Sequence, residues 1–244
     1  YDPLAQNLTE KFEGPSAAYP LGQDELGRDI LSRVIYGARI SLTAGLAAVA
    51  FATIVGTLVG ATAGYAGRWI DSILMRLMDV LLAFPSILLA IVVVTILGQG
   101  LTNAMLAVGI VLMPQIARVV RSSVITVRER DYVEAERALG ASHTRIVFSA
   151  ILPNSLAPLI VQSTLALATA ILDIAALSFL GLGAQPPTPE WGGMLTDAFR
   201  SGFGVFVEGQ HAILFPGIAI ALAVLSVNFI GDGLRDALDP RRKQ

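Results

Sequence analysis

The sequence predicts an all-α, polytopic integral membrane protein. Three observations carry that expectation. Hydrophobic residues make up 54% and charged residues only 15% of the 244 positions, with a mean hydropathy of +0.67. That leaves too little polar surface to cover a soluble globule of this size. The apolar residues gather in windows free of charged side chains, at 40–67, 80–117, 146–172 and 210–231. Finally, Lys and Arg are distributed unequally between alternate loops, the usual mark of a chain threaded through a membrane.

Taken in order, residues 1–40 read as an external segment with an amphipathic lead-in, 41–232 as the transmembrane domain, and 233–244 as a tail. A helix crossing a hydrocarbon core of about 30 Å needs roughly 20 apolar residues. The window 40–67 supplies the first span. The 38 residues of 80–117 are too many for one helix, and Gly98-Gln99-Gly100 divides them into two spans at a tight turn. The windows 146–172 and 210–231 supply the fourth and fifth. The apolar run 174–182 is too short to cross and breaks at Gly181, Gly183, Pro186, Pro187 and Pro189, so it reads as a re-entrant or interfacial segment. Irregular backbone at that depth survives only where protein or a water-filled cavity satisfies it, which points to a gate or pathway involving Asp173, Gly181, Gly183, Pro186, Pro187 and Trp191.

Counting cations sets the orientation. Twelve Lys and Arg, including the six from Arg118 to Arg145 and the tail cations Arg241, Arg242 and Lys243, fall on one side, and five on the other. The richer side is cytoplasmic. The opening stretch YDPLAQNLTEKFEGPSAAYPLGQDELGRD has no apolar signal region. With five spans it starts outside the cytoplasm, so an earlier, sixth span is expected ahead of it.

In the first span Gly56, Gly60 and Gly64 repeat every four residues, a ridge that lets another helix approach closely. The partner is either a helix of this chain or one of a second subunit. The chemistry that is missing narrows the function. Without cysteine there is no disulfide, thiolate metal site or cysteine nucleophile. A phosphate-binding loop needs lysine after glycine, whereas the two lysines, Lys11 and Lys243, follow Glu10 and Arg242. No metal-ligand spacing or Ser/His/Asp arrangement is present, and a net charge of −2 gives no case for nucleic acid. An ion-coupled carrier would place ionisable groups at mid-membrane depth. Asp173 is the one candidate, and a span ending at Leu172 leaves it at the outer interface.

The most informative stretch is DYVEAERALGASHTRIVFSAILP from Asp131. Its apolar positions Tyr132, Ala135, Leu139 and Ile146 fall near one helical face, with Asp131, Glu134, Arg137, Ala141 and Arg145 on another. Gly140 permits a sharp turn, Ser142 is placed to cap a second helix, and Pro153 suits the first turn of the next span. The small residues favour docking against another surface, against the plainer alternative of a solvated charged loop.

This stretch resembles the EAA loop of ATP-binding-cassette importer permeases: Glu134, Ala135, Gly140, Leu152 and Pro153 match in type and spacing, while Glu136 and Ala150 depart. LGQDELGRDILSRVIYGARISL from Leu21, AALSFLGLGAQPPTPEWG from Ala175 and NFIGDGLRDALDPR from Asn228 resemble the C-type permease subunits of dipeptide and oligopeptide importers. The resemblance spans nearly the whole chain. It implies a type I importer permease fold and one further helix ahead of Asp2-Pro3. It also implies a bacterial or archaeal inner or plasma membrane, with the loop 118–153 and the C-terminus cytoplasmic. The implied partners are a homologous second permease subunit, two cytoplasmic ATPase subunits that bind ATP and Mg, and an external peptide-binding protein. This chain itself would bind no cofactor. The coupling residues would be Glu134, Ala135, Arg137, Leu139, Gly140, Ala141, Leu152 and Pro153. The cargo would be dipeptides or oligopeptides, with glutathione-like peptides or nickel complexes as alternatives.

Overall fold

The structure is a computed structural model that describes residues 1–202 and 209–238; Arg241, Arg242 and Lys243 of the basic tail lie outside them. Among the described residues it is all-helical, with one isolated antiparallel bridge between Gln23 and Asp29. Four helices are long and apolar enough to cross a membrane: α1 (Ile30–Ala66), α4 (Leu101–Arg128), α8 (Leu156–Phe179) and α10 (Gln210–Leu238). A fifth crossing requires α2 (Arg68–Leu82) and α3 (Ser86–Leu97) together, and these are bent by 95°.

That bend corrects the expected second span. Composition stays apolar through Leu82-Ala83-Phe84-Pro85, so no charge marks a boundary. Pro85, however, lacks an N–H and pushes Phe84 out of helical geometry. The turn at Gly98-Gln99-Gly100 is present as expected, with Gly98 at φ 96° and Gly100 at φ 137°. The side-chain amide of Asn103 donates to the carbonyls of Leu97 and Gly98, each at 3.0 Å, and so satisfies the end of α3.

The expected fourth span is shifted along the chain. The window 146–172 follows directly on α6 (His143–Arg145) and begins with a π-helical turn (Ile146–Ile151) and α7 (Leu152–Asn154), and the long helix α8 starts only at Leu156. Pro153 has no N–H to donate and its ring crowds the preceding turn, a usual cause of such irregularity. Two side chains donate to carbonyls of this irregular stretch: Asn154 Nδ2 to Ala150 O at 2.6 Å and Ser155 Oγ to Ile151 O at 2.9 Å. At its other end α8 runs to Phe179, so residues 174–179 continue the helix and are not a separate re-entrant segment.

The chain divides into two compact units. One comprises Tyr1–Ala48, Ala90–Val108 and Ala168–Ser226. Ile30, Ala198 and Ala212 form part of its core with Phe12 and Leu21, and Ala175, Trp191, Met194 and Ile220 another part with Ala38 and Leu42. The other comprises Val49–Leu89, Gly109–Leu167 and Val227–Gln244. Within it the second half of α1 lies against α4.

Candidate functional site

The stretch singled out by sequence folds as α5 (Asp131–Ala138), a turn at Leu139-Gly140, and α6. Asp131 and Glu134 in the first turn and Arg137 in the last complement the helix dipole. Gly140 adopts φ +82°; its N–H donates to Arg137 O at 3.1 Å and that of Ala141 to Glu136 O at 3.0 Å. These two bonds are the pair by which a left-handed residue ends a helix in the Schellman motif. Ser142 caps the next helix, its hydroxyl accepting from the Arg145 N–H at 3.3 Å.

The covered face of α5 differs from expectation. Val133 and Ile146 are fully buried and anchor the element. Tyr132 is 44% exposed, Leu139 88% exposed, and Ala135 is also exposed. The expected division is not the one observed: Tyr132, Ala135 and Leu139 point away from this chain as Asp131, Glu134 and Arg137 do, Ile146 alone of the expected apolar face is buried, and the buried residue of α5 is Val133. Glu134, Arg137 and Pro153 are exposed as well, Ala141 and Leu152 partly buried. Glu136, partly buried, has one carboxylate oxygen without a hydrogen-bond partner among the described residues.

Two contacts tie this region to the end of α1. The Tyr65 hydroxyl lies 2.6 Å from His143 Nδ1, and Arg128 donates to the carbonyls of Gly64 and Tyr65, both at 3.0 Å. The glycine ridge meets α4 of the same chain. A Cβ on Gly56 would come within 2.9 Å of Met113 O, on Gly60 within 2.3 Å of Ala117 O, and on Gly64 within 2.9 Å of Arg121 O. Of the two partners left open by the sequence, the intrachain one is realised.

The residues expected at a gate are dispersed by role. Gly181, at φ +79°, ends α8 with the same Schellman pair, Gly181 N to Ser178 O and Leu182 N to Leu177 O, each 2.9 Å. Gly183 packs so closely that a Cβ would lie 2.0 Å from Ser178 Oγ. Trp191 is a core residue at the start of α9 (Trp191–Arg200), with Nε1 donating to Val34 O at 3.0 Å. Buried Glu190 caps that helix, accepting from the N–H groups of Gly192 and Gly193 at 3.0 and 2.8 Å. Pro186 and Pro187 are exposed. Asp173 lies inside α8 and not beyond its end, and its Oδ2 has no hydrogen-bond partner among the described residues.

Sequence reading missed a buried charge network ahead of α1. The Arg28 side chain is 2% exposed and donates to Asp24 at 2.7 Å and to Glu25, with Asp197 at 3.5 Å; Arg33 lies 3.2 Å from Asp24. Burial is the first cause pushing the Glu25 carboxyl above its ordinary value, the Asp24 charge adds to it, and Arg28 opposes them. Asp197 comes from α9, so no local pattern in the sequence announces the cluster. Among the described residues no group of His, Cys, Asp and Glu is placed to hold a metal.

Comparison with known proteins agrees with this architecture. The profile of the family described as binding-protein-dependent transport system inner membrane component matches residues 56–244. The dipeptide transport system permease protein DppC of Alkalihalophilus pseudofirmus is 54% identical over 238 residues, 97% of this chain and 77% of that protein. The glutathione transport system permease protein GsiD of Pectobacterium atrosepticum is 49% identical over 231 residues, 95% of this chain and 75% of that protein. Among solved structures, a chain of the MetNI methionine ABC transporter in an inward-facing conformation superposes with a TM-score of 0.68 at 21% identity, covering 86% of this chain and 98% of that one. That likeness establishes a shared fold. On profile, relatives and fold together, this chain belongs to the inner membrane components of binding-protein-dependent transport systems.

Proposed function

We propose that the chain is a transmembrane subunit of an importer of small peptides, and that α5 with its Gly140 turn is the surface on which a separate ATPase subunit docks. The observation carrying this is the outward apolar surface of α5 and its turn: Tyr132 on the helix and Leu139 just after it are exposed, although the helix is already anchored by buried Val133 and the following segment by buried Ile146. Exposed apolar residues that cluster, as Tyr132, Ala135, Ala138 and Leu139 do within eight positions, mark a surface that another protein covers. The cation count puts that helix on the cytoplasmic side. The chain's lysines do not follow a glycine, so ATP and Mg are bound by the partners.

In the assembly, a homologous second permease subunit and two ATPase subunits complete the transporter, and an external binding protein delivers the cargo. ATP binding closes the ATPases and displaces α5. The motion reaches α1 through Tyr65 with His143 and through Arg128, and the bundle changes between outward and inward openings by movement of rigid helices. Moving such an equilibrium from 1:99 to 99:1 takes about 5.5 kcal/mol of differential binding, which ATP and the loaded binding protein supply. Peptides are the cargo favoured by the names of the relatives, glutathione among them. Asp173, Pro186 and Pro187 are assigned to the external gate and the binding-protein contact.

The test uses the assembled importer. Leu139→Asp, which puts a charge on the docking face without touching the buried anchors, is expected to lower ATP-driven dipeptide uptake at least about tenfold through loss of ATPase association. Normal ATPase co-purification together with normal uptake would remove the docking assignment.

A further inference from the structure

The exposed residues of α4 differ in kind from those of the other crossing helices. Beyond residue 106, every exposed position of α4 is polar: Gln115, Arg118, Ser122 and Thr126. On α10 the exposed positions between residues 211 and 230 are apolar apart from Ser226, with Leu214, Ile218, Leu222 and Leu225 among them. A lipid-facing surface looks like α10, because a polar group in hydrocarbon without a partner is costly. Gln115 lies about 21 Å along α4 from Leu101, inside a hydrocarbon core of about 30 Å. Protrusion of the helix end into the cytoplasm therefore accounts for Thr126 but not for Gln115.

From Arg118 onward the polar stripe lines two adjoining open cavities in the same structural unit, and Gln115 lies just before them on α4. One, of about 590 Å³, is lined by Arg118, Ser122, Thr126 and Arg130 together with Asn154 at the end of α7 and Pro158 in the first turn of α8. The second, of about 550 Å³, shares Val119, Asn154 and Pro158 and continues to Gln162 on α8 and Arg235 on α10. Each is of the size that accommodates a small organic solute. Three arginines and no carboxylate line these two, and Asp131 lines a third opening that shares Val127, Arg130 and Asn154 with the first. Asp79 pairs with Arg118 at 2.5 Å and offsets its charge, so the positive character of the trough rests on Arg130 and Arg235.

We infer that this trough is the water-filled cytoplasmic part of the translocation passage, and that its arginines favour solutes bearing a carboxylate. The cargo part of this inference rests on the import reading above; the aqueous wall does not. Because the chain has no cysteine, single thiols report on it cleanly. Gln115→Cys, Ser122→Cys and, as the lipid-facing control, Leu222→Cys are placed in the importer assembled with its partner subunits in proteoliposomes. Each is treated from the ATPase side with an anionic or a cationic membrane-impermeant methanethiosulfonate, and modification is read as the mass of this subunit.

The expected result is that Q115C and S122C react at least about tenfold faster than L222C. The anionic reagent is favoured severalfold over the cationic one after correction for intrinsic reactivity, and modification lowers ATP-driven dipeptide uptake relative to the same variant untreated. Labelling needs no activity, so it reads even on a variant that transports poorly. Reaction of Q115C no faster than L222C would overturn the passage and identify a face sealed by lipid or the second permease subunit. Preference for the cationic reagent, or modification with uptake unchanged, would overturn the assignment of the trough to carboxylate-bearing cargo. If the labelling pattern holds while the untreated wild-type importer takes up no dipeptide, the peptide reading fails and the aqueous wall stands.

Discussion

At Gly140 and Gly60 the same residue type does two different physical jobs. Gly140 has nothing within 4 Å of the place a Cβ would occupy, but its φ of +82° is left-handed, a region that costs an ordinary L-residue about 1–2 kcal/mol. Gly140→Val is therefore expected to reshape the end of α5 while leaving the transmembrane fold intact. Membrane insertion stays normal, ATP-driven uptake falls, and ATP hydrolysed per peptide imported rises. Normal uptake at normal expression would count against any coupling role for this turn. Gly60 has an ordinary helical backbone and no room, since a Cβ would lie 2.3 Å from Ala117 O. Gly60→Val is expected to destabilise the packing of α1 on α4 by about 1–3 kcal/mol, measured as a lower thermal midpoint of the detergent-solubilised importer and not as a selective loss of coupling. Spacing alone marked both glycines as consequential. It left open what Gly60 faces, because an i, i+4 repeat defines a ridge and says nothing about its partner.

The elements show where hydropathy and periodicity inform and where they fail. The boundaries of α5 and the cap at Ser142 follow from local chemistry, namely acids at one end, Arg137 at the other, and a glycine able to turn. Which face of α5 is covered was not legible, because its buried residue, Val133, lies outside the apolar face that the periodicity marked. The bend between α2 and α3 and the delayed start of α8 were hidden for a different reason: Pro85 and Pro153 sit inside uniformly apolar windows, and counting charge-free residues cannot detect a backbone fault. The hydrogen bonds around that second fault are testable. The side chains of Asn154 and Ser155 donate to the Ala150 and Ile151 carbonyls of the π-helical turn. The double variant Asn154→Ala, Ser155→Ala removes both bonds and is expected to cost about 0.5–1.5 kcal/mol per bond. A thermal midpoint equal to that of wild type would mean that water takes over these bonds.

For the molecule as a whole, the least expected feature is that Arg28 and Arg33, which served in the sequence only as cations on the external side, are among its largest fully buried side chains. They are held by Asp24, Glu25 and Asp197, and a buried charge is tolerated only when so paired. Asp197 is 169 residues from Arg28, and no sequence pattern reports a pairing at that distance. The acids are not equivalent. Asp24 serves both arginines, whereas Glu25 has a carboxyl displaced above its ordinary value of 4.5, chiefly by burial and next by the neighbouring Asp24 charge. Between pH 4.5 and the higher value in the folded protein, the folded state binds more protons at Glu25 than the unfolded state. Stability from this group is therefore greatest below that window and falls as pH rises through it. Glu25→Gln removes the titration, so the thermal midpoint of the assembled importer is expected to decline less steeply with rising pH across the window than in wild type. Asp24→Asn, by contrast, takes a full charge from two buried arginines and is expected to lower the midpoint at neutral pH. An unchanged pH slope in E25Q would show that Arg28 holds Glu25 ionised throughout, and that the attraction between the two outweighs burial.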